Sequence, residues 1–224
     1  MFAVYVGTGG TVVEYAYTDT DFDPTRSGSV DYVYFDAWKF TSLSFGAADS
    51  TRRIVVVVTW THSSGTRTIK EATIGGIAAT IHRNYSPATG RGIGIISAEV
   101  PTGTTGTVIV NLTGNSGIGG SCGISVYRLL NCTSSNGNET STSPTTVSVG
   151  YGDVVISGAY FDSASGTVSW TGATEDAETD QDGSSARHCA ASYSATAIDA
   201  TYDTAVSISG SGSLAMASQV FTAN

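Results

Sequence analysis

Positive charge is scarce in this chain. Ten Lys and Arg stand against nineteen Asp and Glu, a net charge of −9, and only 13% of the 224 residues are charged. A field of that sign repels phosphate backbones, and no Lys/Arg stripe is present to displace counterions, so nucleic acid is not an expected partner. Long apolar runs are missing too. No stretch of about 18 apolar residues is available to cross a bilayer as a helix. The opening Met1-Phe2-Ala3-Val4-Tyr5-Val6 lacks the basic start and apolar core of an export signal, so neither a membrane nor Sec export is expected. Cysteine is limited to Cys122, Cys132 and Cys189, odd in number and without the close pairing of a zinc site or disulfide scaffold. Buried, idle thiols are the expectation. His62, His82 and His188 are scattered, which does not make a His-rich metal site. Gly-x-Ser-x-Gly occurs nowhere in a strand-turn-helix setting, so the sequence offers no catalytic residues and no cofactor site, and it reads as a non-enzyme.

What is present is β-forming. Apolar residues come in short β-branched runs divided by Gly, Ser, Thr and Asn, the pattern of strands and turns and not of amphipathic helices. About fourteen such runs predict an all-β fold, a two-sheet β-sandwich wired like a jelly roll or Greek key. Ile54-Val55-Val56-Val57-Val58 is apolar at every position, as a central strand covered on both faces must be. Gly75-Gly76 joins two β-like runs and predicts a primed hairpin turn, because both central residues tolerate positive φ. Pro101 to Gly106 predicts a second hairpin loop. The stretch 131–144, polar and free of aliphatic side chains, reads as a mobile loop inside a single domain over 38–224, preceded by an arm or added strands over 1–37.

Charge is unevenly spread. Residues 1–128 hold nine basic and nine acidic side chains, whereas 129–224 hold one basic residue, Arg187, and ten acidic ones. Two acidic clusters offer the oxygen ligands that calcium prefers: Asp19, Asp21 and Asp23, and Asp176, Glu178, Asp180 and Asp182 with Glu175 beside them. The first has Pro24 where a calcium loop needs its turn glycine, and the plain reading of both is a solvated acidic loop. Aromatic side chains supply the other candidates. Trp38 and Trp60 sit inside strong strand patterns and belong to the core, while Trp170, ending a strand before the acidic segment, is the best candidate for an exposed platform. Tyr5, Tyr15, Tyr17 and Phe22 in the N-terminal segment are further candidate contacts with a partner.

The order of segments from Lys39-Phe40-Thr41-Ser42-Leu43 and Arg53-Ile54-Val55-Val56-Val57, through Thr73-Ile74-Gly75-Gly76-Ile77-Ala78-Ala79-Thr80 and Val100-Pro101-Thr102-Gly103-Thr104-Thr105-Gly106-Thr107-Val108, to Cys122-Gly123-Ile124-Ser125-Val126-Tyr127, resembles a group of largely uncharacterised virion proteins of tailed bacteriophages, marine ones especially. Trp170-Thr171-Gly172-Ala173-Thr174-Glu175-Asp176 is similar to a Trp-Thr-Gly-x-x-Glu-Asp stretch of that group, so the resemblance covers about 38–195. It implies a structural protein on the virion surface, working by binding to capsid or tail subunits and forming a homo-oligomer. Capsid decoration is the expected role. The alternative is a tail fibre or receptor-binding module that touches host glycan or protein through loops at one end of the sandwich: 63–66, 85–91 and 174–183.

Overall fold

The computed structural model describes residues 14–21, 25–26, 37–62, 65–88, 90–113, 120–163, 166–181, 186–209 and 212–224. These hold eighteen strands and no helix. In chain order they are β1 (Glu14–Asp21), β2 (Thr25–Arg26), β3 (Ala37–Ser44), β4 (Arg53–Thr61), β5 (Ile69–Ile74), β6 (Ile77–Ala78), β7 (Thr80–Ala88), β8 (Arg91–Glu99) and β9 (Thr105–Leu112). There follow β10 (Cys122–Leu130), β11 (Cys132–Thr140), β12 (Thr145–Val149), β13 (Val154–Phe161), β14 (Val168–Thr171), β15 (Thr174–Gln181), β16 (Ala186–Ser194), β17 (Asp199–Ile208) and β18 (Leu214–Ala223).

They form four antiparallel sheets, ordered β2-β3-β9-β5-β6, β1-β10-β4-β8-β7, β11-β18-β13-β16-β15 and β12-β17-β14. The apolar clusters show how these are layered. Trp38, Phe40, Val108 and Val110 from the first sheet meet Ile54, Val56, Val58 and Trp60 from the second. The other face of the second sheet, with Val55, Val57, Ile93 and Ile95, meets Val154, Ile156, Ala190 and Ala217 of the third. The third sheet packs its far face, through Val155, Ala159, Phe161 and Met216, on Val147, Val168 and Val206 of the fourth. The all-β sandwich expected from the sequence is therefore present twice, two sandwiches stacked back to back.

This layering explains β4. Its residues 54–58 are fully buried and alternate between the two cores, so the run must be apolar at both parities. Each such side chain contributes about 1.5–3 kcal/mol by leaving water. The middle interface is built on smaller residues. At Gly158 an added Cβ would fall 2.3 Å from Val57 Cγ1, so the glycine is what lets β13 approach β4.

The turns sort themselves by sheet. Gly75 and Gly76 take φ of 60° and 80° and close the β5–β6 hairpin, as their permissive backbones predict. The Pro101–Gly106 segment does not close a hairpin: β8 and β9 belong to different sheets, so it arches over the end of the first sandwich. Between β6 and β7 the chain leaves one sheet for the next at Ala79.

Residues 131–144 are not a loop. Cys132–Thr140 is β11, an edge strand paired to β18. Its outward face carries polar residues that bond to β12: Asn136 Nδ2 donates to Ser148 O at 2.8 Å, and Ser148 N donates to Asn136 Oδ1 at 3.0 Å. A strand stabilised by side-chain amides on a solvated edge shows no aliphatic alternation. β10 and β11 are joined by Asn131 alone, at φ 50°, a left-handed position that asparagine tolerates.

Candidate functional site

The acidic segment is the strand β15, not a loop. A β-bulge between Glu175 and Ala177 turns Asp176 toward the middle interface, where its carboxylate accepts from Tyr127 Oη at 3.0 Å. Burial raises its pKa above the usual carboxylate range, against the lowering effect of hydrogen bonds from Ser192 and Tyr127. Glu178 and Asp180 point elsewhere. Both close on Arg187, the one Lys or Arg of residues 129–224: Arg187 Nη2 and Nε reach Asp180 Oδ1 at 2.9 and 3.1 Å, and Nη1 pairs with Glu178. The carboxylates read from the sequence as a calcium set are thus divided between a tyrosine and an arginine, and Asp182 lies outside the described residues. No group of three His, Cys, Asp or Glu among the described residues is placed to hold a metal ion. Asp19 and Asp21 have their backbones in β1, and Asp23 lies outside the described residues.

The aromatic candidates also separate. Tyr15 and Tyr17 are half-buried and pack against the core between the two sandwiches, Tyr17 edge-on to Tyr127 at 5.6 Å between ring centres. They hold β1 in place. Tyr5 and Phe22 lie outside the described residues. Trp170 is half-buried against Phe161, Val168 and Val206, with its Nε1 buried and unpartnered, so it is not an open stacking platform. Trp38 and Trp60 are in the core as expected.

Among the described residues two serine hydroxyls meet a histidine ring: Ser97 Oγ lies 2.8 Å from His82 Nε2 on the half-buried edge strand, and Ser125 is paired with His188. Ser125 Oγ lies 2.8 Å from His188 Nε2, and Thr59 Oγ1 lies 2.8 Å from His188 Nδ1. Both Ser125 and His188 are fully buried between the sandwiches, and burial pulls the imidazole pKa down to about 3. The ring is a neutral polar tie between sheets. The three cysteines are free thiols and buried, one in each of three different cores. Burial is the main cause that raises the pKa of each, to about 11 at Cys132.

Among the described residues the most exposed large apolar side chain, Ile198, lies at one end of the second sandwich. The link from β12 to β13 (150–153) and the link from β16 to β17 (195–198) are held side by side, with Gly152 N donating to Ala195 O at 2.9 Å and Val149 paired opposite Asp199. Their tips carry Tyr151, 36% exposed, and Ile198, 81% exposed. Just inboard, Tyr193 and Tyr202 are stacked, with ring centres 4.3 Å apart and planes at 10°, resting on Val147, Val149 and Val155. Exposed Asp199 and Asp203 flank this apolar tip. Sequence reasoning passed over it, because Ile198 in Ala-Ile-Asp-Ala reads like any core isoleucine.

The corresponding end of the first sandwich is sealed. Arg52 is 1% exposed and gives its guanidinium to six backbone carbonyls, those of Phe45, Gly46, Ala47, Val100, Thr102 and Gly103, at 2.6–3.3 Å. It pins both links to the strand ends. A cleft of about 250 Å³ opens beside it along β1, and Arg128 at its floor is engaged by Ala47 O at 2.9 Å and Glu14 Oε1 at 3.4 Å.

No family model, no curated protein and no solved structure matches the chain.

Proposed function

We propose that the chain is a structural protein of a bacteriophage virion, a head-surface or capsid decoration protein that works by binding and not by catalysis. The order of strand-and-turn motifs over 38–195 supports the virion assignment. The observation that carries the binding mode is Ile198, 81% exposed beside Tyr151 at the end of a stiff four-sheet stack. An isoleucine that open to water has lost the burial that makes the residue useful, and a contact surface restores it. The partner in this reading is a capsid subunit, and the acidic second sandwich keeps the exposed remainder of the protein apart from its neighbours.

A tail-located receptor-binding module is the second reading, favoured by the same tip, since tyrosines beside carboxylates also suit host glycan or protein. Adding purified chain to particles assembled without it separates the two. Saturable binding to those particles, abolished by Ile198→Asp, is expected for decoration. Binding to host cells, with no binding to particles, overturns decoration in favour of the second reading.

A further inference from the structure

The two sandwiches follow one plan. β1-β10-β4-β8-β7 over β3-β9-β5 has the same wiring as β11-β18-β13-β16-β15 over β12-β17-β14, so each strand of the second has a counterpart in the first at the same place in sheet and sequence. β2 and β6 are additions at the edges. Register agrees as well as order. Arg53 stands opposite Glu99 as Val154 stands opposite Ser194, and Trp60 opposite Cys122 as Phe161 opposite Leu214. The edge strands β7 and β15 carry a bulge at the same position, His82 in one and Asp176 in the other, just after Thr80 opposite Ser97 and Thr174 opposite Ser192.

Corner hydrogen bonds recur too, and shared wiring does not require them. Thr113 N donates to Thr68 O at 2.8 Å, and Thr68 N returns to Thr113 Oγ1 at 3.1 Å; Ser209 N donates to Thr167 O at 3.0 Å, and Thr167 N returns to Ser209 Oγ at 2.8 Å. Thr61 N donates to Ser121 O while Ser121 N returns to Thr61 Oγ1, and Asp162 N donates to Ser213 O while Ser213 N returns to Asp162 Oδ1. Val100 N bonds Arg52 O as Ala195 N bonds Asp153 O.

Contacts between the sandwiches are reciprocal. From β7, His82 sets its ring edge-on to Phe221 of β18 at 5.6 Å, and Arg83 Nε donates to Gln219 Oε1 at 3.1 Å. From β15, the counterpart of β7, Asp176 takes the hydroxyl of Tyr127 on β10, the counterpart of β18. Element i meeting j while j's counterpart meets i's is the signature of a two-fold, isologous interface.

We infer that the chain is a tandem duplication of one eight-stranded module, and that the face between its two five-stranded sheets is a self-association surface whose partner is a second copy of the module. In one chain the two modules are joined through a single residue, Asn131. After β18 the backbone comes back to that joint, with Asn224 N donating to Asn131 O at 2.9 Å. Glu14 is opposite Leu130 and Ala223 is opposite Cys132, which places the start of β1 and the end of β18 within about 20 Å of each other. The thirteen residues that precede Glu14 are long enough to join them.

Two experiments on the whole chain test this. In the first, Asn131 is replaced by a protease-cleavable segment, the folded protein is cut, and native mass spectrometry reads the species. In the second, the chain is permuted to run 132–224 followed by 1–131. A persistent 1:1 pair of halves at micromolar concentration is expected after cutting, lost when Gly158→Leu is placed against Val57. The permuted chain is expected to be a monomer with the parental near-UV spectrum and a thermal midpoint within about 5 °C of the parent. Halves that part on cutting overturn the self-association surface. A permuted chain that lacks the parental spectrum, when the cut halves stay paired, overturns the interchangeability of the two modules and with it the duplication.

Discussion

Ser125 and His188 meet across the boundary between the two sandwiches, hydroxyl to ring nitrogen at 2.8 Å, with no exposure to solvent. The tie holds only while the ring is neutral. Its pKa of about 3, against 6.5 for the free side chain, means that the unfolded chain binds a proton in the intervening window and the folded one does not. Stability from this group is complete above about pH 6.5 and falls as pH is lowered toward 3. His82, lowered to about 4 by burial first and then by Arg53 and Arg83, acts with the same sign. Asp176, raised by burial, has the opposite sign and weakens the trend near pH 4. The unfolding free energy is expected to fall by a few kcal/mol between pH 7 and pH 4, and His188→Gln is expected to flatten that profile. Urea titrations across the range check this; an unchanged slope in the variant would remove His188 as its source.

Arg52 has no carboxylate among its hydrogen-bond partners, only carbonyls, and those carbonyls have few other donors. Removing the guanidinium leaves several buried acceptors unsatisfied, at about 1–3 kcal/mol each where water cannot enter. Arg52→Met is expected to lower stability by about 3–5 kcal/mol, and Arg52→Lys by nearly as much, because one ammonium cannot serve two links at once. Chemical denaturation gives the comparison. A loss below about 1 kcal/mol in both variants would show that the cage is not what seals this end.

Glu178 and Asp180 are engaged by Arg187, which is itself nearly buried, whereas the carboxylates are partly exposed. Arg187→Ala is expected to cost about 1–2 kcal/mol, the solvent-facing side of the cluster being screened. Millimolar calcium is expected to leave the melting temperature of the parent chain unchanged. A clear rise would return these carboxylates to a metal-binding role.

Ile198 and Tyr151 belong to none of the four apolar clusters of the described residues. Ile198→Asp and Tyr151→Ser are expected to change stability by less than about 0.5 kcal/mol while abolishing attachment to particles. Calorimetry and sedimentation with particles give the two readings. Full attachment of both variants would move the contact surface off this tip.

How much was legible in the sequence depended on what each residue faces. Ile54 to Val58 announced a doubly covered strand, since burial on both faces leaves a hydropathy signal at every position. β11 and β15 left none. Asn136 and Asn138 spend their amides on neighbouring backbone, and Glu178 and Asp180 sit over Arg187, so both edge strands read as polar loops. The stacking of two sandwiches was hidden for a related reason: Gly158, Ala190 and Ala217 let the sheets approach by being small, and small residues carry little hydropathy. Trp170 reads as exposed because its position at a strand end does not show that it packs against Phe161, Val168 and Val206. The tip at Ile198 was invisible, as composition alone does not tell an exposed isoleucine from a buried one.

Immunogold labelling of intact phage particles, with antibody raised against the purified chain, locates the protein on the virion. Label distributed over the head is the predicted result. Particles that carry no label, from lysates in which the chain is abundant and free, would contradict a virion role altogether, and label confined to the tail tip would contradict capsid decoration.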